Sequence, residues 1–162
     1  MKALMSRVVI AVSILFAAPV AANAQQSMTV GPWKVISVSG NRGCHVQQIK
    51  NETLIDFGYN PKGDYSTIMM FDPQWNNSVG TMDVTLGFLN PTTKDVDIVH
   101  QDATVDAPAM MTIEAQGAAL LDKLKAGGGV VLAWNGNVQG TFDLDDSAIG
   151  FDLLAKCIAT NM

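Results

Sequence analysis

Positive charge is what this chain has least of. Ten lysines and arginines stand against fifteen aspartates and glutamates. Two of the ten, Lys2 and Arg7, fall within the first 24 residues, which hold no acidic residue. The other 138 residues therefore carry eight basic and fifteen acidic side chains, a formal charge of −7 with histidine neutral. Nucleic-acid phosphate and anionic lipid repel such a domain, so neither is an expected partner. Long apolar runs are lacking as well. After the leader no stretch approaches the roughly 18 residues that a membrane helix needs, so no integral membrane segment is expected there. Catalytic signatures are missing too: there is no Gly-x-Ser-x-Gly elbow, no His-Glu-x-x-His and no phosphate loop ending in Gly-Lys-Ser/Thr. Gly127-Gly128-Gly129 does not complete a dinucleotide pattern, because Leu132 stands three positions beyond Gly129. It reads as a helix stop, and no cofactor is expected.

What is present begins with an address. Lys2 and Arg7 give a positive start, Val8 to Phe16 form a short apolar run, and Ala22-Asn23-Ala24 offers a small-x-small cleavage site. The run is too short to span a bilayer, so residues 1–24 read as a secretory signal peptide. The mature protein then begins at Gln25 as a single domain over residues 25–162, placed in the periplasm, secreted or held at the envelope. No cysteine sits at the cut to carry a lipid anchor.

Cysteine is nearly absent. Cys44 and Cys157 are the only two, and export would carry both to an oxidising compartment. One disulfide between them is the expected pairing. A metal role lacks a Cys-x-x-Cys pair, and His45 beside Cys44 is too little to make a site. No metal ligands are assigned.

Turn signals punctuate the rest: residues 39–43, 60–64, 76–80, 90–93, 106–108 and 135–137 are rich in Asn, Gly, Pro and Asp. Asn135-Gly136 is a favoured type I′ hairpin turn. Between the turns lie short β-prone runs, read as strands at 33–38, 44–49, 53–58, 65–71, 81–88, 96–101, 110–115, 130–134 and 138–144. Several alternate apolar and polar residues, as in Val96-Asp97-Ile98, which predicts one buried and one wet face. The expected fold is mainly β, an antiparallel sandwich or open barrel with two short helices. The first helix, at about 116–126, spaces Leu120, Leu121 and Leu124 helically and allows Asp122 to pair with Lys125. The second, at about 146–158, follows the N-capping residues Asp145, Asp146 and Ser147. It is expected to turn Ile149, Leu153 and Cys157 toward the sheet.

Few residues invite chemistry. His45 and His100 are the only histidines; each falls in a strand run and reads as half-exposed rather than catalytic. Asp143, Asp145 and Asp146 fail the calcium-loop pattern, since Ala148 and Leu154 stand where Gly and Glu are required. Asp95 and Asp97 read as a wet strand face, and Met69, Met70, Met110 and Met111 as core filler. Of Trp33, Trp75 and Trp134, only Trp75 lies in a loop-like segment, between Pro73 and Asn76-Asn77. It is the expected partner-binding residue, with a lid folded over the core as the competing expectation.

Gly31-Pro32-Trp33-Lys34-Val35, followed by Cys44-His45-Val46-Gln47, resembles the opening of the invasion-associated locus B family. Members of that family carry Gly-Asp-Trp and then a Cys near a Gln-containing strand. Leu121 to Gly127, a strand, then Gly140-Thr141-Phe142-Asp143-Leu144 and a cysteine-bearing helix are similar to the family's closing layout. Ser37 stands where the family often has a further cysteine, and Pro32 replaces the usual Asp. The resemblance implies a small periplasmic or envelope protein with a β-rich fold and no defined reaction; in pathogens the family is linked to host-cell invasion. Three functions follow as expectations: a non-enzymatic exported module that binds a protein partner or supports the envelope, a small inhibitor of an envelope-degrading enzyme such as a lysozyme, or an enzyme whose site is assembled from distant residues.

Overall fold

Alternation of apolar and polar residues runs through most of the chain, and the backbone follows it. The computed structural model describes residues 26–37, 43–126, 128–144 and 146–161. The leader, its cut site, Asp145, Gly127 and nearly all of the turn before Cys44 lie outside the described residues. Ten strands and two helices succeed one another: β1 (Gln26–Val30), β2 (Trp33–Ser37), β3 (Cys44–Lys50), β4 (Thr53–Asn60), β5 (Tyr65–Phe71), β6 (Gly80–Leu89), β7 (Val96–Ala107), β8 (Met110–Gln116), α1 (Ala119–Ala126), β9 (Gly129–Trp134), β10 (Asn137–Asp143) and α2 (Ser147–Asn161).

All ten strands join one antiparallel sheet in the order β1-β2-β3-β4-β5-β8-β7-β6-β9-β10. The first five form a meander. The chain then crosses two positions to β6 through residues 72–79 and returns as the meander β6-β7-β8 to pair with β5. A second crossing, through α1, carries it to β9 beside β6. The sheet curls until Lys50 of β3 and Asp143 of β10, far apart in strand order, form an ion pair at 2.6 Å. This is the mainly-β class expected as an antiparallel sandwich or open barrel, realised as one open antiparallel sheet with its helices packed on it.

Turn chemistry accounts for the hairpins. Asn135 and Gly136 both adopt positive φ, 51° and 74°, as the type I′ turn between β9 and β10 requires. Asn60 closes the β4–β5 turn by accepting from the backbone N–H of Lys62 at 3.0 Å and of Gly63 at 3.3 Å. Asn90 does the same for Thr92 and Thr93.

One hydrophobic cluster fills the curl, with Trp33, Phe57, Ile68, Met70, Leu86, Met111, Ile113 and Leu132 among its fully buried members. Helix α2 closes it over β2, β3 and β4: Phe151 stacks on Phe57 with centroids 5.6 Å apart, and Phe57 meets Trp33 at 5.8 Å. The Trp33 indole donates to the Asp146 carbonyl at 3.1 Å, fixing the start of the helix. Asp146 itself has φ 64° rather than an extended N-cap backbone.

Three expectations about the elements need correction. Helix α1 starts at Ala119 rather than 116, because residues to Gln116 extend the β5–β8 ladder. Its Lys123 reaches Asp97 of β7 in an ion pair that sequence proximity did not announce. In α2 the sheet-facing stripe runs through Gly150, Leu153, Leu154 and Cys157, and Ile149 is 37% exposed. The reason is Trp33: a Cβ on Gly150 would stand 2.7 Å from the indole, so only glycine lets the ring lie against the helix. Finally, β7 runs to Ala107 with its phase inverted relative to the Val96-Asp97-Ile98 reading. Ala103 and Val105 point inward, which leaves Val96 and Ile98 on the outside.

Candidate functional site

Trp75 does not offer an exposed contact. The indole is 8% exposed, meets Trp134 edge-on with centroids 5.3 Å apart, and meets Phe142 at 6.4 Å. Residues 72–79 are tied down by hydrogen bonds from Asp72 N to Ala109 O and from Asn77 N to Pro108 O, both 3.0 Å. A bulge between Val138 and Gly140 withdraws Gln139 from the ladder, and the Trp75 Nε1–H donates to the Gln139 carbonyl at 3.3 Å. The competing expectation of a lid over the core is what the structure shows.

The cysteines are joined. Cys44 of β3 and Cys157 of α2 form a disulfide with Cα atoms 6.0 Å apart, pinning the last helix to the sheet. A groove of about 420 Å³ lies beside it, lined by Met28, Val35, Leu153, Lys156 and Cys157 among others. Across the open seam, a second concavity of about 220 Å³ is walled by Gln48, Lys50, Thr53, Thr141 and Asp143.

The histidines stay apart, on β3 and β7, with three strands between them in the sheet. His45 Nδ1 lies 2.8 Å from Asp56 Oδ1, and Asp56 is only 4% exposed. A Cβ on Gly58 would stand 2.5 Å from both the His45 ring and Thr67 Oγ1, so the imidazole lies flat over β4 and supplies the buried carboxylate with a partner. That is a structural role for the pair. His100 Nδ1 is 3.2 Å from Thr85 Oγ1 on the exposed face of β6 and β7. On β4, the Tyr59 hydroxyl donates to Asp64 at 3.0 Å. That hydrogen bond, with smaller contributions from desolvation and the carboxylate charge, raises the Tyr59 pKa above 10.0. Among the described residues no group of three or more His, Cys, Asp or Glu is arranged to hold a metal. No described helix is long and apolar enough to cross a membrane.

The face that stands out was not singled out in the sequence. It is the outer side of β9, β6 and β7. Register places Thr85 between Ala133 and His100, Gly87 between Val131 and Ile98, Leu89 beside Val96, and Asp83 opposite Asp102. Val96 is 49% and Ile98 60% exposed. The small side chains at Ala133 and Gly136 open a concavity of about 590 Å³, which Asp83, Thr85 and His100 also line. Strands β5 to β10 contain no lysine or arginine, yet they hold Asp83, Asp97, Asp102, Asp106, Glu114 and Asp143. That one-sided composition is the sequence signal that could have located this face. No family model, no curated protein and no solved structure matches the chain.

Proposed function

We propose that this chain is a non-enzymatic exported protein of the periplasm or envelope that binds a protein partner. Its support comes in two parts. The leader pattern over residues 1–24 and the joined cysteines agree on an oxidising compartment outside the cytoplasm. The resemblance to the invasion-associated locus B family favours the same address.

The single observation that carries binding is the outer face of β6 and β7, where Val96 and Ile98 stand in water on the same face as the Asp83 and Asp102 carboxylates. Apolar side chains grouped on an otherwise charged surface mark interaction sites. A second reading, inhibition of an envelope-degrading enzyme such as a lysozyme, is favoured by the same strands lacking every basic residue, since their surface complements a basic target.

The experiment is fractionation followed by capture. Protein recovered from the periplasm should have lost residues 1–24 and yield a peptide pair joined through Cys44 and Cys157. Immobilised on a support, it should retain a defined protein from envelope extract. Retention in the cytoplasm with an intact leader, or no retained protein at all, refutes the reading.

A further inference from the structure

Resting on that binding reading, we propose that the outer face of β9-β6-β7 is a docking surface for a basic, amphipathic segment of a partner protein. The argument begins with the register. Moving along β6 and β7, matched rows pass from Asp83–Asp102, through Thr85–His100, to Gly87–Ile98 and Leu89–Val96. Rows on one face recur every second residue. One end of the face is therefore carboxylate, the middle is concave and polar, and the other end is apolar. Ile98 and Asp102 are four residues apart on one strand, roughly 13 Å. A complementary segment places an apolar anchor and a cation the same distance apart: four residues along a strand, or about nine along a helix.

Shape agrees with this polarity. Gly87 has no side chain, and Val96 Cγ1 leans into the space above it, 2.9 Å from where a Cβ would stand. The apolar end is thus a low, continuous surface with Ile98 and Val131. Beside it, Ala133 and Gly136 keep the 590 Å³ concavity open, within reach of the Asp83 carboxylate. A long basic side chain fits there: its methylenes lie over Thr85 and Ala133 while its head meets Asp83.

Charge decides the occupant. Like charges directly opposite in a sheet destabilise it, yet Asp83 faces Asp102 with no lysine or arginine on any strand from β5 to β10. The same face of a second copy has no strand lysine or arginine to offer these carboxylates. An anionic partner would be repelled from long range, whereas a basic one is steered in.

The test uses the mature, disulfide-bonded protein and two synthetic probes. One is a helix-forming peptide with leucines at one end and lysines at the other; its twin has glutamate for every lysine. Amide shifts on titration with the lysine peptide should centre on Asp83, Thr85, Ile98, His100, Asp102 and Ala133. Asp83→Asn with Asp102→Asn should weaken that binding roughly fivefold, and added salt should weaken it in the wild type. Ile98→Ser should weaken it independently, and thermal unfolding of each variant checks that the fold is kept. Equal binding of the glutamate twin, shifts centred on another face, a loss under about twofold in the double variant, or no binding of either peptide overturns the assignment. Those results leave the broader reading to the envelope capture, which fails only if the wild-type protein retains nothing.

Discussion

Replacing Trp75 with alanine separates a packing role from a contact role, and the structure makes the expected size concrete. A buried tryptophan removes on the order of 200 Å² from water, which at about 25 cal/mol per Å² is near 5 kcal/mol as an upper figure. Trp75 is 8% exposed, so nearly all of that applies. Partial collapse of Trp134 and Phe142 into the vacated space reduces it, and large-to-small changes of this kind cost about 3–5 kcal/mol. The Gln139 carbonyl also loses its indole donor. Because the bulge lies in the edge strand β10, water can replace part of that bond, so its loss adds at most about 1 kcal/mol.

The assay is thermal unfolding with the disulfide intact, followed by tryptophan fluorescence and near-ultraviolet circular dichroism. For a domain of this size the alanine variant should unfold roughly 10–20 °C lower, and the dichroism of the Trp75–Trp134 pair should be lost. Trp75→Phe should keep most of the packing and cost about 1–2 kcal/mol through the missing Nε1–H. A change below about 1 kcal/mol for Trp75→Ala would refute the reasoning, since only an indole already in water is removed so cheaply.

Three other outcomes are expected. Cys44→Ser should lower stability by about 2–5 kcal/mol in denaturant titration, because the bridge closes a loop spanning 113 residues. Gly150→Ala should destabilise by about 1–2 kcal/mol; the usual helix gain of about 1 kcal/mol is outweighed by a Cβ 2.7 Å from the Trp33 ring, and a rise in Tm would refute that contact. Tyr59 should ionise above pH 10 by ring-carbon NMR, with Asp64→Asn returning it toward the ordinary value. A raised pKa binds the proton more tightly when folded, so its contribution is complete below pH 10 and is lost as pH rises through the folded pKa.

The parts of this fold that the sequence announced are those written locally. Asn135-Gly136 specified its hairpin because few residue pairs accept positive φ at both positions. Strand β5 is bounded as the pattern from Tyr65 to Phe71 predicts, since turns with their own side-chain chemistry flank it. Strand β1 was missed because Gln26–Val30 neither alternates strongly nor has β-propensity enough; it forms by pairing with β2. The outward turn of Val96 and Ile98 was illegible for another reason. Three residues alternate equally well in either phase, and only the distant Ala103 and Val105, buried against β8, choose between them. Trp75 sat among loop-forming residues, but a tertiary contact with Trp134 outranked that context.

Those corrections move the candidate surface from a loop to a sheet face, and they divide the molecule by role. The bridge, helix α2 and the Trp33–Phe57–Phe151 stack all gather on β2, β3 and β4. That half also carries strand cations, at Lys34 and Lys50. The half from β5 to β10 has the aromatic lid inside, and its strands carry acidic charge and no lysine or arginine. A sheet selected for stability alone would place a lysine opposite Asp83 or Asp102 and threonines at Val96 and Ile98, since cross-strand pairs of opposite charge and polar outer positions are the more stable arrangement. None of the four positions follows that rule, and all four fall on one continuous face in register. Local rules broken together in one place, with no lysine or arginine on strands β5 to β10 to offset the carboxylates, point to a contact made outside the fold.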